Sequence, residues 1–386
     1  MKTIRIYETD SHARRLQARV LSCEEGENGW LVELDRTIFY PTGGGQPCDT
    51  GTLGGADVTE TLLRGETVLH RCTAALPVGA DVTGEIDWAR RLDLMQQHSG
   101  EHLVSGLIHA RFGYENVGFH LGADLVTIDF NGEVDEQALQ ELERAANEAV
   151  WADFAPHIWY PEPDELAHLP YRSKKALTGA VRLVQFGDID LCACCGTHVA
   201  HTGEIGLIKL FSTTHFRGGS RIEMACGGRA LAVLNALCAQ NRDISVRLSA
   251  KPVQTAAAVA RLASERTEAQ QRAAALEDRL FALLAQDGQT LRFEPPMPPE
   301  SVRRLADAMV RANGARCAVF AGQDGAWHYA MADRDGDLRG LTKRLNAALQ
   351  GRGGGKPGFV QGSLAASRTD IEAFFTAESC STPDQA

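Results

Sequence analysis

Residues 253–285 form a run rich in Ala, Glu, Gln and Arg, with Leu262, Leu276, Leu280 and Leu283 as its apolar contacts. Such a run reads as one helix, roughly 50 Å long at about 1.5 Å per residue. A rod of that length and polarity reads better as a spacer or a coiled-coil arm than as a catalytic core. Pro295, Pro296, Pro298 and Pro299 then mark a boundary. The chain must therefore be built in parts, with the folded chemistry on either side of the rod.

Before the rod, the first eighty or so residues carry short strand-like runs at residues 3–7, 30–34 and 67–70, separated by Gly, Asp and Asn. That spacing points to an all-β barrel or sandwich. Residues 39–47 place three consecutive glycines between two prolines, which makes a loop whose backbone can approach something closely. The pattern then turns helical over Trp88–Phe112, where Leu92, Met95, Leu103, Leu107 and Ile108 recur near the helical period and Gly113 supplies a stop. A second helix is expected over residues 136–154, and strands over 181–186 and 205–212. After the rod, helix and strand alternate at residues 299–313, 317–321, 327–332 and 338–349, a small α/β domain. Its glycine-rich segment, residues 351–358, has the outline of a phosphate-binding loop. Pro357 stands where Ser or Thr would bind magnesium, so a flexible surface turn is the plainer reading.

A chain of 386 residues has room for two or three domains. No stretch approaches the roughly 20 apolar residues that cross a bilayer, and the start of the chain lacks the apolar core of a secretory signal. A soluble, cytoplasmic protein without membrane contact is expected. The 10 cysteines show no disulfide-framework spacing. Only Cys192, Cys194 and Cys195 cluster, as metal or redox cysteines do, although a buried inert group would look the same. A net charge of −11 argues at first against a polyanionic partner, but net charge is a poor guide to a local surface. Residues 338–357 hold Arg339, Lys343, Arg344, Arg352 and Lys356 and no carboxylate, and residues 171–182 are likewise one-signed. A solvated face explains either run as well as a phosphate contact does.

The chemistry gathers on two short segments. His98 and His102 stand one helical turn apart on one face, where both imidazoles can hold one ion. A zincin would need Glu directly after the first histidine; Ser99 occupies that place and Glu101 precedes His102, which disfavours that reading. The second segment is Cys192-Ala193-Cys194-Cys195-Gly196-Thr197-His198, where a thiolate and an imidazole can come together around a tight turn. The two segments together make a four-ligand zinc candidate.

Taken with Gly43-Gly44-Gly45-Gln46, the pair His98 and His102 and the pair Cys194 and His198 resemble the editing domain of alanyl-tRNA synthetases and their free-standing AlaX relatives. Residues 37–41 before the glycines, 49–51 after them, 202–206 after the cysteines, then 221–223 and 227–230 continue the match. Residues 353–357 with Gln361 and Gly362 resemble the DHH-associated domain at the end of the synthetase. The synthetase's aminoacylation half would precede the barrel, so the long, free-standing AlaX form is the better match, and ATP binding is carried by family similarity only. The resemblance implies an α+β chain: a β-barrel domain (1–88), a zinc-binding α/β editing domain (89–240), a helical linker (241–290) and a DHH-associated-like α/β domain (291–386). Family register names His98, His102, Cys194 and His198 as the Zn2+ ligands. Cys195 stands where the family usually has the first glycine of Cys-Gly-Gly-Thr-His, which leaves a swap between Cys194 and Cys195 open.

The implied reaction is hydrolysis of the ester joining a wrong amino acid to the acceptor end of tRNA(Ala), serine chiefly and glycine beside it. An alanine pocket cannot strongly exclude a smaller side chain or one added hydroxyl, so a second site is needed. Gln46 is the candidate to orient the ester carbonyl or amino group, and Thr37 or Thr42 the partner of the serine hydroxyl. Zinc would activate water or position the substrate. His120 is a candidate supporting residue near the pocket, while His109, His201 and His215 read as structural. Arg182, Lys209 and Arg221 would meet acceptor phosphates or pair with carboxylates. The C-terminal domain is expected to assist tRNA binding or a homodimer, which could also form through the helix, and residues after 375 to be a disordered tail. The alternatives are a non-catalytic tRNA-binding module with structural zinc, which degenerate ligands or a lost Gln46 would have favoured, and a metallohydrolase of small molecules.

Overall fold

The computed structural model describes residues 2–173 and 179–380. Lys174 and Lys175 of the one-signed run, and the tail from residue 381 onward, lie outside the described residues. The chain divides into two compact units, Met1–Asp243 and Ile244–Ala386. Among the described residues no helix is long and apolar enough to cross a membrane.

The first unit begins with β1 (Ile4–Arg5), only two residues long because the chain then tightens into a 3-10 turn at Ile6–Glu8. Then follow β2 (Arg15–Gly26), β3 (Gly29–Leu34), β4 (Arg36–Thr37), β5 (Gly51–Leu53), β6 (Ala56–Arg64), β7 (Thr67–Cys72) and β8 (Asp81–Ile86). β1 pairs in parallel with β4. The other six close on themselves as a barrel in the order β2-β3-β7-β6-β5-β8. The alternation that a strand imposes is plain in β2, where Leu16, Ala18 and Val20 are buried and Arg15, Gln17 and Arg19 exposed. With Val32, Leu34, Leu53 and Val58 they fill the interior, each large side chain contributing about 1.5–3 kcal/mol on full burial. His70 also lies inside. Its Nδ1–H donates to the Val32 carbonyl at 3.0 Å, and Nε2 accepts from the Thr37 hydroxyl at 2.7 Å.

Helix α1 (Trp88–Phe112) has the bounds its periodicity implied. Asp87 caps it by accepting from the Arg90 N–H, and Gly113, at φ 70°, ends it by donating to the His109 carbonyl. It packs with α2 (Glu136–Trp151) on a four-stranded sheet of β9 (Asn116–Leu121), β10 (Val126–Phe130), β14 (Ile208–Phe216) and β15 (Gly219–Cys226), in the order β14-β15-β10-β9. α2 stops at Trp151, short of the expected residue 154, and Asp153 takes a left-handed φ of 48°. β14 starts at Ile208 because a 3-10 turn takes up Thr202–Ile205. Beside this sheet a meander joins β11 (His157–Trp159), β12 (Leu183–Phe186) and β13 (Asp190–Ala193), with the short helix α3 (Pro163–Leu166) between its first two strands. β13 delivers the chain into the cysteine-rich turn. α4 (Gly227–Arg247) follows β15.

The second unit holds α5 (Thr255–Leu284), the long rod, whose Val259, Leu262, Leu276, Leu280 and Leu283 are exposed. Then come β16 (Leu291–Glu294), α6 (Pro299–Asn313), β17 (Cys317–Gln323), β18 (Ala326–Ala332), α7 (Arg339–Ala348), β19 (Arg352–Lys356), β20 (Phe359–Leu364) and α8 (Arg368–Cys380). The sheet runs β16-β17-β18-β20-β19. Cys317, Val319 and Ala321 face α6, while Ala318 and Phe320 pack with Leu341, Leu345 and Ile371 on the other side. Two expectations are corrected here. The glycine-rich segment is no loop: residues 352–356 form an edge strand paired with β20. The presumed tail is helical through residue 380.

Candidate metal centre and cavity

Three histidines and one thiol meet where α1, the glycine loop and the turn after β13 come together. The donor atoms of His98, His102, Cys194 and His198 all lie within 4.8 Å of one another. The His198 ring centroid is 4.8 Å from both the His98 and the His102 centroids. Helical spacing puts His98 and His102 on one face, with ring centroids 5.3 Å apart. The Cys194 Sγ sits 3.4 Å from His98 Nε2 and accepts from the Gly196 N–H at 3.4 Å. Cys195 is exposed and outside the cluster, so the thiol that geometry brings to the histidines is that of Cys194. Cys192 falls in another group, with Asp190 and His102.

Each histidine has a partner at Nδ1, which aims Nε2 at the others. His98 Nδ1–H donates to Gln46 Oε1 at 2.9 Å, and His102 Nδ1–H to Asp190 Oδ2 at 2.7 Å. His198 Nδ1 meets the Ser99 hydroxyl at 3.3 Å. Such outer partners fix tautomer and ring orientation in metal sites. Arg172 holds Asp190 in turn through a 2.8 Å contact. The Nε2 of His198 is buried and has no hydrogen-bond partner among the described residues, a costly arrangement unless something else ligates it.

The electrostatics follow from this packing. Burial pushes the Cys194 thiol up, but the imidazoles of His98, His198 and His102 packed around it hold it well below the ordinary thiol range. Burial carries Cys192 up to about 11, with the His102 and Arg172 charges pulling the other way and the Asp190 carboxylate adding to the rise. Desolvation drives His198 down to about 3, keeping it neutral. Desolvation also opposes charge on His102, yet the Asp190 and Cys194 hydrogen bonds raise it well above the usual imidazole value.

The turn itself needs glycine. A Cβ on Gly196 would stand 2.2 Å from His98 Cε1 and 3.0 Å from Gln46 Oε1. At Gly45, φ is 83° and a Cβ would strike the Phe119 ring at 2.5 Å. Arg182 pins the turn from behind, its Nη1 donating to the Cys194 and Gly196 carbonyls at 2.9 Å each. It is buried in that role, and its hydrogen-bond partners among the described residues are backbone carbonyls. Lys209 pairs with Glu143 at 2.8 Å and Arg221 with Asp129 at 2.6 Å, the carboxylate reading of both.

The cluster opens on a cavity of about 480 Å³, walled by Gly44, Gly45, His98, His102, Phe119 and Cys194 among others. Several sequence candidates are not brought to it. Gln46 is fully buried behind His98: its Oε1 also accepts from the Thr197 N–H at 3.2 Å, and its Nε2 donates to the Thr197 hydroxyl at 2.8 Å. Both ends of its amide are engaged within the protein, the carbonyl on His98 and Thr197 and the amide nitrogen on Thr197. Thr37 spends its hydroxyl on His70 and accepts from the Phe39 N–H. Thr42 is exposed, outside the cavity wall. His120 is exposed on β9, while its neighbour Phe119 faces the cavity. Sequence reasoning missed Asp190, Ser99, Thr197 and Arg172. A carboxylate two residues before Cys192 was the one available signal for Asp190.

Two sequence families match parts of the chain: the threonyl and alanyl tRNA synthetase second additional domain over residues 181–223, and class II (A) tRNA synthetases over residues 7–90. The chain is 32% identical over 241 residues to the alanyl-tRNA editing protein AlaX-L of Pyrococcus horikoshii, covering 60% of each chain. It is 26% identical over 405 aligned residues to the alanyl-tRNA editing protein Aarsd1 of Danio rerio, covering 97% of this chain and 98% of that one. It is 29% identical over 387 residues to the alanine–tRNA ligase of Pyrococcus abyssi, covering 94% of this chain and 42% of the ligase. The chain thus spans about three fifths of the first of these relatives.

Proposed function

Because the chain is a relative of the alanyl-tRNA editing proteins, we propose that it is a trans-editing hydrolase that deacylates mischarged tRNA(Ala), seryl-tRNA(Ala) first and glycyl-tRNA(Ala) beside it. The observation that carries this reading is the convergence of three imidazole Nε2 atoms and one low-lying thiol on the wall of an open cavity. The donor set suits zinc, being borderline nitrogen and soft sulfur at one turn's spacing. The orphaned, buried His198 Nε2 fits an ion as its partner. His98, His102 and His198 through Nε2, and Cys194 through Sγ, would hold it. A bound zinc ion supplies Lewis acidity, polarising an ester carbonyl and lowering the pKa of water to about 7.

The protein's own residues prepare that site. Gln46 and Asp190 keep the protons of His98 and His102 on Nδ1, so both rings present lone pairs inward. Arg182 and Gly196 fix the turn that carries Cys194. Phe119, stacked on His98 with ring centroids 5.4 Å apart, makes an apolar wall that limits water beside the reacting ester.

Residues 1–88 and 89–240 are assigned as the barrel and editing domains. The linker at 241–290 and the DHH-associated-like domain at 291–386 would assist tRNA binding or self-association, in the cytoplasm. Exposed Leu262, Leu276 and Leu283 fall at multiples of seven along α5, the spacing of a coiled-coil seam, which favours a homodimer through the helix. Sedimentation of the purified protein as a monomer would remove that part.

The activity is tested with tRNA(Ala) charged in turn with serine, glycine and alanine. Hydrolysis of the seryl ester well ahead of the alanyl ester is expected, and His102→Ala should abolish it. Seryl-tRNA left intact by the native protein, or full activity in His102→Ala, would sink the proposal.

A further inference from the structure

The cavity beside the ligand cluster is far larger than a serine needs. At about 480 Å³ it lies in the range of pockets that enclose a whole small ligand. An aminoacyl ester brings more than its amino acid, because the ester oxygen is joined through the ribose to the base of the terminal adenosine. With the carbonyl at the cluster, that base falls at the mouth of the cavity.

The wall presents one apolar side chain that the fold leaves in water. Among the described residues of the first unit, Val117 is the exposed large apolar side chain that lines the cavity, at 65% exposure. Its neighbour Phe119 is committed elsewhere, stacked on His98 and packed against the core under α1. Val117 sits on β9, the terminal strand of its sheet. There the register slips: Gly118 pairs with Asp129 and Asn116 with Phe130, so Val117 is the extra residue of a β-bulge. Bulges of this kind re-aim a side chain beside a functional site. This one is fixed from both sides. Asn116 Oδ1 accepts from the Gly118 N–H at 3.2 Å, while Asn116 Nδ2 donates to the Ser105 hydroxyl on α1 at 3.0 Å. A Cβ on Gly118 would meet Asp129 Oδ2 at 2.7 Å, and Arg221 holds that carboxylate in place at 2.8 Å. A β-branched side chain is already stiff, so covering it with a flat base removes apolar surface from water at little cost in rotamer freedom. We propose that Val117 seats the base of the ester's terminal adenosine, so that part of the affinity comes from the nucleoside rather than from the amino acid. The inference rests on the hydrolase reading above.

The test measures binding of two stable analogues to the full chain: the serine amide of 3′-amino-3′-deoxyadenosine, and the same amide with hydrogen in place of the base. Native protein should favour the analogue that carries the base. Val117→Ser should weaken that analogue about tenfold, the effect of uncovering one valine side chain, and leave the baseless one within about twofold. Val117→Ile keeps the apolar surface and should keep the preference. The position is exposed, so all three proteins should melt together, which a thermal scan checks. A native chain that gains nothing from the base would overturn the inference while the hydrolase reading stands. So would a Val117→Ser variant that keeps the preference, or one that loses equally on both analogues, as contact with the amino acid or the ribose would give. A native chain that leaves seryl-tRNA(Ala) intact would remove the hydrolase reading and this inference with it.

Discussion

Gln46 shows how one side chain can be brought to a site and face away from its cavity. Its glycine loop was expected to present the amide to substrate, and the loop does reach the cavity, through Gly44 and Gly45. The glutamine itself turns inward to His98 and Thr197. Its loss should therefore be felt first in metal affinity. Gln46→Ala is expected to weaken zinc binding about 10–100-fold, as for other outer partners of ligand histidines, measured by competition with a chromophoric chelator. Unchanged zinc affinity together with collapsed deacylation would return Gln46 to the substrate.

Among the elements, the barrel makes the clearest pH prediction. Its buried His70 is driven by desolvation down to about 4, against only a single backbone bond that favours charge. The unfolded chain binds that proton near pH 6.5. The stability gained from a neutral His70 is therefore full above about pH 6.5 and drains away as pH falls towards 4, by about 2 kcal/mol at pH 5. Urea unfolding at pH 7.5 and pH 5 should show this loss in the native chain and not in His70→Gln. An equal loss in both would place the titration elsewhere. α1 is legible for a simpler reason: its cap, period and stop are all local, so Asp87, the apolar repeat and Gly113 specify its bounds unaided. The strand at residues 352–356 was hidden because only pairing with β20 makes it one.

At the scale of the whole molecule, the metal and the fold separate. The first unit has two apolar cores, one inside the barrel and one under α1 and α2. The rings of His98, His102 and His198 are held by Gln46, Asp190 and Ser99, and Arg182 holds the backbone of the turn that carries Cys194. Removing zinc with a chelator should then stop deacylation and leave the far- and near-ultraviolet circular dichroism in place. A structural site of the zinc-finger kind contributes about 10–16 kcal/mol to folding. Unfolding on chelation would favour the non-catalytic module instead.

The sequence by itself determined whatever is encoded within a turn or two of chain: the His98–His102 and Cys194–His198 pairs, the bounds of α1, the strand-like runs of the barrel, and the long exposed rod. Tertiary structure decided the rest, because it depends on residues far apart in the chain. The Gln46–His98 contact spans 52 residues and the Asp190–His102 contact 88. Nothing local distinguishes a glutamine that binds substrate from one that steadies an imidazole, a glycine loop from an edge strand, or an arginine that meets phosphate from one that clamps a turn. Those choices are made by which surfaces pack together, and packing is a property of the folded chain.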